Sequence, residues 1–256
     1  AMRIVKTLLV LFALALVVAG VFAWMLPADV GYRYGARLLG PVTLTGVRGT
    51  VWNGHADGVS AFGRDLGELD WHAQKLPLLG GQWIAEVRIQ GADVDLAGEL
   101  ARGRDGTLSA RELRFSLPAS LLAPALDIDA LQLLGTISGV VSQATVAHLV
   151  LRDASGSARW SGAGVAGAAS AHFSDILAEF SSRPDGSLAG IVHDDGKGDL
   201  AVAGEFDVRL GAFDAHARLD ARNGNTQIAD MLRYVGTPQA DGSSQLVVHG
   251  RLLQLP

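Results

Sequence analysis

The segment FDAHARLDAR, residues 213–222, alternates apolar and polar side chains without interruption. Its apolar side consists of Phe213, Ala215, Ala217 and Leu219. A period of two residues predicts a β-strand with one dry face and one face in water, and such strands are typical of antiparallel sheets. Residues 86–90 and 112–117 repeat the pattern. We therefore expect a chain that folds mainly as β-strands.

Glycine-containing turns separate these alternating runs. Three of the turns contain an Asp-Gly pair, which readily adopts the positive φ angles of a tight hairpin: Asp105-Gly106, Asp185-Gly186 and Asp241-Gly242. Long helical patterns do not intervene between the turns, which disfavours βαβ units. Short helices are expected over residues 118–126 and 226–235, the second after the capping residue Asn225.

Together these patterns predict a curved antiparallel β-sheet or sandwich-like domain over residues 41–256, with one or two short helices. A short echo inside the domain leaves open two related β units that divide near residue 130. The echo is a glycine followed by Trp-x-Gly, at Trp52 and Gly54 and again at Trp160 and Gly162. A true repeat would place both tryptophans on inward faces, and both glycines where a Cβ is poorly tolerated.

Tryptophans are the largest side chains of a domain that is otherwise rich in alanine and glycine. Those of the β-rich region are Trp52, Trp71, Trp83 and Trp160. Because each can bury about 200 Å² of surface, we expect them to anchor the core. Contact with a partner, or a place in an apolar groove, is the alternative.

An uncharged segment, TLLVLFALALVVAGVFAWML, occupies residues 7–26. A helix of this length is about 30 Å long, which matches the hydrocarbon core of a bilayer. We therefore expect residues 1–28 to form an N-terminal transmembrane anchor, with a juxtamembrane stalk over residues 29–40. A cleaved signal peptide is the alternative, but its apolar core is usually only about 7–15 residues long.

Basic residues flank the uncharged segment on both sides, with Arg3 and Lys6 before it and Arg33 and Arg37 after it. Long domains cross a membrane largely regardless of such charges. We therefore expect the short N-terminal tail to stay inside and the large domain to lie outside.

The overall composition excludes several classes of protein. The net charge of −5 at pH 7 argues against nucleic-acid binding, which needs a basic surface. The chain has no cysteine, so disulfides, thiolate nucleophiles and cysteine zinc sites are absent.

Candidate sites for chemistry are weak. The run of residues 162–167 matches G-x-G-x-x-G, but a dinucleotide site needs a helix directly after it, and the sequence there does not predict one. The segment HDDGKGD, residues 193–199, lacks the ligand spacing of a calcium loop and is expected to be a solvated hairpin turn. The seven histidines show no metal-binding spacing. We therefore expect no catalytic, cofactor-binding or metal-binding residues.

The segment LTGVRGTVWNGHADGV, residues 44–59, resembles the type II secretion system protein N family. The family shows Gly-x-x-Gly-Thr-x-Trp-x-Gly-x-Ala here, matched by Gly46, Gly49, Thr50, Trp52, Gly54 and Ala56. Similarity continues around Trp71 and over residues 231–252. The resemblance implies a single-pass inner-membrane protein of Gram-negative bacteria, with a periplasmic domain and no catalytic residues.

The resemblance also implies partners. They are other components of the machine that exports folded proteins across the outer membrane, either the inner-membrane platform or the outer-membrane secretin. The alternative is a lipid-binding or lipid-transport groove, as in the AsmA-like periplasmic proteins, because strands with one dry face suit either a filled sandwich or an open groove. The sequence does not distinguish these two architectures.

Overall fold

The structure is a computed structural model that describes residues 26–35, 42–61, 64–121, 131–147, 150–167, 171–209, 212–233 and 236–251. The predicted membrane segment therefore lies outside the described residues, except for Leu26. Within the described ranges, each helix is too short or too polar to cross a membrane.

The described chain is mainly β, as the sequence predicts. The strands are β1 (Val42–Thr45), β2 (Arg48–Gly49), β3 (Asn53–Ala61), β4 (Arg64–Ala73), β5 (Trp83–Gln90), β6 (Asp95–Arg102), β7 (Leu108–Pro118), β8 (Leu131–Ala147), β9 (Val150–Gly167), β10 (Ala171–His172), β11 (Ile176–Ser182), β12 (Leu188–Asp194), β13 (Leu200–Arg209), β14 (Ala212–Ala221), β15 (Thr237–Pro238) and β16 (Ser244–Arg251). The helices are α1 (Ala28–Gly35), α2 (Leu76–Leu79) and α3 (Thr226–Leu232), with a 3₁₀ turn at Ala119–Leu121.

These strands form one open antiparallel sheet of 16 strands, in the order β1-β3-β4-β5-β6-β7-β8-β9-β11-β12-β13-β14-β16-β15. β2 pairs with β3, and β10 pairs with β9. A sandwich, the other architecture expected from the sequence, is not what the described residues form. The sheet continues from β7 to β8 past residue 130, and a division into two halves there stays a prediction.

The predicted Asp-Gly turns are confirmed. Gly106, Gly186 and Gly242 have φ angles of 80°, 80° and 86°. In each turn the aspartate carboxylate accepts the backbone N–H of the residue two positions later, at distances of 2.9–3.1 Å. These local bonds stabilise the tight turns that connect β6 to β7, β11 to β12 and β15 to β16, so the two strands on either side of each turn pair with each other.

The predicted helix after Asn225 is confirmed as α3. The side-chain oxygen of Asn225 accepts the backbone N–H of Ile228 at 3.2 Å, which caps the first turn. Helix α3 packs against β14. Its last residue, Leu232, joins a buried cluster with Leu200, Val202 and Leu219. The helix thereby covers the C-terminal end of one face of the sheet.

The apolar core is thin. Fully buried apolar residues in the described ranges are mostly alanines, and Trp52, Trp71, Trp83 and Trp160 are only partly buried. These tryptophans are therefore partly covered rather than fully buried, and their role as core anchors stays a prediction. In a sheet one layer thick, most side chains are flanked by neighbouring strands, and within the described ranges no second sheet packs on top of them.

Candidate functional site

The glycine-rich motif that begins at Gly46 forms the first hairpin of the sheet. Gly46 and Gly49 have φ angles of 63° and 85°. A Cβ on Gly49 would press against the backbone of Asn53, because β2 folds back tightly onto β3. Trp52 lies in the bend between these strands, with Lys75 Nζ 5.9 Å from its ring centroid.

The ring of Trp71 accounts for the need for glycine at position 54, two residues after Trp52. Trp71 on β4 lies directly across from Gly54 on β3, and a Cβ on Gly54 would overlap the indole ring. The indole Nε1 donates a hydrogen bond to the carbonyl oxygen of Val51 at 3.1 Å. Gly54 therefore accommodates the ring of Trp71 rather than that of Trp52.

Trp160 has a different setting from Trp52. It lies within β9, and its indole Nε1 donates to the carbonyl oxygen of Leu134 on β8 at 2.7 Å. Gly162, with a φ of 59°, lies beside an irregularity in the β8–β9 pairing. Trp52 lies in a bend and Trp160 in a strand, and the predicted repeat stays a prediction. By strand position and indole bonding, Trp71 is the closer counterpart of Trp160.

The residues weighed for chemistry do not form a catalytic or metal-binding centre in the described part of the chain. No group of three or more His, Asp or Glu side chains there is arranged to hold a metal ion. The glycine run of residues 162–167 lies inside strand β9 and does not begin a helix. It therefore lacks the helix N-terminus that a pyrophosphate would need.

Asp194, in the segment expected to be a solvated turn, is buried instead, so that expectation is wrong for this residue. Its side chain is 4% exposed and forms an ion pair with Arg222. Its two oxygens also accept the backbone N–H groups of Val202 and Gly196, each at 2.8 Å. The carboxylate thus joins the β12–β13 turn to the end of β14.

The pKa of Asp194 reflects two opposing effects. Burial raises this pKa, but the hydrogen bonds from Arg222 and from the backbone of Val202 and Gly196 outweigh burial and lower the pKa to about 2. The carboxylate is therefore charged at neutral pH and serves a structural purpose.

The dry face of the sheet is continuous across most of its width. Following the strand pairing from β4 to β16, we define a first row of apolar residues: Leu69, Ile89, Leu96, Phe115, Gly139, Ala158, Ala178, Val192, Gly204, Ala217 and Leu246. Every residue of the first row is partly buried.

A second row of partly buried apolar residues runs beside the first, from β3 to β16. It contains Gly54, Trp71, Val87, Gly98, Leu113, Val141, Gly156, Phe180, Gly190, Phe206, Ala215 and Val248. We call the two rows together the apolar face.

Aromatic rings on the apolar face lie over glycines of the neighbouring strand. The pairs are Gly54 with Trp71, Gly139 with Phe115, Gly156 with Phe180, and Gly190 with Phe206. In each pair a Cβ on the glycine would come too close to a ring carbon. The glycines therefore leave room for the rings to lie across the neighbouring strands.

The opposite face is charged and internally paired. His55 Nδ1 lies 2.8 Å from Asp70 Oδ1, and this hydrogen bond raises the pKa of His55. Arg218 donates to both Asp220 and Asp241 at 2.8 Å. Such pairs are typical of a water-exposed sheet surface, where each contributes little to stability.

The two edges of the sheet differ. At the first edge, Tyr32 of α1 accepts the backbone N–H of Leu44 on β1 at 3.0 Å. At the other edge, β16 is paired along its length with β14, whereas β15 contacts only Ser244 and Gln245. The outer side of β16 beyond Gln245 has no strand partner within the described ranges. An unpaired edge of this kind is a template for strand addition.

Comparison with known proteins adds a family to this geometry. The sequence profile described as type II secretion system (T2SS), protein N matches residues 40–247. A protein of Vibrio cholerae serotype O1 named type II secretion system protein N is 33% identical over 124 residues, which are 47% of this chain and 49% of that protein. The match therefore spans about half of that relative. No solved structure matches the chain significantly.

Proposed function

Because the chain belongs to the type II secretion system protein N family, we propose that it is an inner-membrane-anchored component of that system with a structural role in the export of folded proteins across the outer membrane. The observation that carries this proposal is the family match over residues 40–247, which contains nearly the whole sheet. The family is one of structural secretion components, not of enzymes.

The proposed anchor is the uncharged segment of residues 7–26, which crosses the membrane once with the N-terminus in the cytoplasm and the sheet in the periplasm. The carbonyl oxygen of Leu26, the last residue of this segment, accepts the backbone N–H of Val51 at 3.0 Å. This contact supports a sheet that begins directly at the membrane surface.

Topology is tested with a reporter that is active only in the periplasm, fused after Pro256. We expect an active reporter, and we expect the protein to stay in the membrane fraction after carbonate extraction, because a twenty-residue apolar helix inserts stably. A matched fusion with two lysines in place of Leu14 and Leu16 should leave the membrane fraction. A soluble protein processed near Trp24 would show that residues 7–26 are a signal peptide.

For the structural role we propose that a partner adds a strand to the open edge at β16. The backbone groups of an edge strand offer hydrogen bonds, and alternating side chains such as Val247 and Val248 offer specificity. The partner is another type II secretion component, either of the inner-membrane platform or the outer-membrane secretin.

A photoreactive residue at Val247 tests this role in cells that express the secretion system. Ile191 is the matched control, because both side chains are exposed, at 43% and 54%, and both lie on the charged face. The strand pairing also places them in one row across the sheet, in the order Ile191, Glu205, His216 and Val247. We expect adducts with a secretion component from Val247 and not from Ile191. Equal adducts from both positions, or adducts only with unrelated envelope proteins, would contradict the proposal.

A further inference from the structure

We propose that the apolar face binds the acyl chains of inner-membrane phospholipids, laid across the strands along its two rows. This inference goes beyond a structural role in secretion. It rests on the proposed membrane anchor for the source of the lipid.

The dimensions of the apolar face suit hydrocarbon chains. The first row crosses the sheet from β4 to β16 through ten strand-to-strand steps. At about 4.8 Å per step the row is about 50 Å long. The hydrocarbon core of a bilayer, which is two acyl chains thick, measures only about 30 Å. The row is therefore longer than an acyl chain and continuous along that length.

The surface chemistry also suits an occupant that forms no hydrogen bonds. In the interior of the sheet the backbone groups are used by the strand pairing, so an added peptide strand would have to bind at an edge. Aromatic rings such as Phe180 and Phe206 lie over glycines of the neighbouring strands, so this part of the face presents ring carbons and no hydrogen-bonding side chain. Asp194, the carboxylate at the border of this face, is covered and neutralised by Arg222.

Little of the described chain covers the apolar face. Helix α3 packs over its C-terminal end, at β13 and β14, and the rest is only partly buried. Within the described ranges, no second layer of strands lies on the rest of the apolar face.

The contact between Leu26 and the sheet indicates the occupant. The uncharged segment of residues 7–26 ends at Leu26, which is bonded to Val51 beside the β2–β3 hairpin. The second row starts at Gly54, three residues after Val51. If residues 7–26 cross the membrane, one end of the apolar face lies next to the lipids. Acyl chains are then the nearest abundant apolar partner.

The test places p-benzoylphenylalanine in the full chain, in cells, at Ala178 or at Glu179. These neighbours on β11 point to opposite faces, with Ala178 in the first row and Glu179 exposed on the charged face. We expect phospholipid adducts, identified by mass spectrometry, at least about tenfold more abundant from Ala178, because burying only two methylene groups already favours binding by that factor.

Three results would overturn the proposal. The first is an adduct between Ala178 and residues 7–26 of the same chain, which would mean that this segment covers the face. The second is an adduct with another protein, and the third is equal or absent lipid adducts from the two positions. Adducts from the Val247 variant are recorded in parallel, in cells of the same strain. Failure of lipid binding is thereby distinguished from failure of the secretion role.

A blocking variant gives a second readout. Ala158 lies beside Ala178 in the first row, and Ala158→Asp puts a charge into the proposed lipid track. We expect this variant to reduce the lipid adduct from Ala178 by about tenfold, because a charge is poorly tolerated against hydrocarbon. Ser157→Asp, one residue away on the charged face, should leave the adduct unchanged. Equal effects of the two variants, at equal protein levels, would contradict lipid binding at this face.

Discussion

Replacing Asp194 by asparagine should lower the free energy of unfolding by about 3 kcal/mol. The substitution keeps the size of the side chain but removes its charge, and it leaves the Arg222 guanidinium, which is partly buried, without its ion pair to Asp194. Because asparagine has one carbonyl oxygen in place of two carboxylate oxygens, one of the N–H groups of Val202 and Gly196 also loses its acceptor. Urea unfolding of the full chain in detergent, followed by tryptophan fluorescence, measures the loss.

The effect of Asp194→Asn should depend on pH in a defined direction. The folded-state pKa of about 2 lies below the ordinary value of 3.8, so the charged carboxylate contributes stability above pH 3.8. This contribution is lost as the pH falls through about 2. The difference between the original protein and the variant should therefore be constant above about pH 5 and shrink toward pH 2.

Asp230→Asn is the matched control, because Asp230 is 69% exposed in its ion pair with Arg233. It should change stability by less than about 1 kcal/mol. A similar, small loss for both variants would mean that the Asp194–Arg222 pair is solvated, contrary to the burial found here.

Replacing Gly67 by alanine should destabilise the sheet by about 4 kcal/mol, through backbone strain and overpacking together. Gly67 has a φ of 105° at an irregular point of the β3–β4 pairing. A Cβ there would overlap the carbonyl oxygen of Gln90 and the Cα of Gly91. Both contacts are backbone, so β4 and β5 would have to separate locally. The midpoint of urea unfolding measures the effect.

Gly106→Ala separates the two causes. Gly106 also has a positive φ, 80°, but an added Cβ would meet no heavy atom within 4 Å. This variant should show the conformational strain alone, about 1 kcal/mol. Equal losses at Gly67 and Gly106 would show that the close approach of β4 and β5 contributes nothing.

Local patterns in the sequence predicted much of the architecture. Alternation in residues 213–222 identified β14 and its two faces, and Asp-Gly pairs identified three hairpin turns. Asn225 was predicted as the cap of the helix that follows it. These features depend on interactions among residues a few positions apart, so a single sequence suffices to predict them.

Other features could not be predicted because they depend on strand register. The partner of Asp194 is Arg222, 28 positions away, and nothing in HDDGKGD indicates a buried carboxylate. The glycines at apolar positions, such as Gly156 and Gly190, were a usable signal that was missed. Their meaning emerges only when the pairing sets Phe180 and Phe206 across from them.

The sequence by itself determined the mainly β character, three alternating strands, the Asp-Gly turns, the capped helix and the family of this protein. The tertiary structure decided that the dry faces stay in one open sheet instead of closing into a sandwich, so that Trp52, Trp71 and Trp160 are only partly buried. The physical reason is that alternation tells which side of a strand avoids water, whereas the layer that covers this side is chosen by long-range packing.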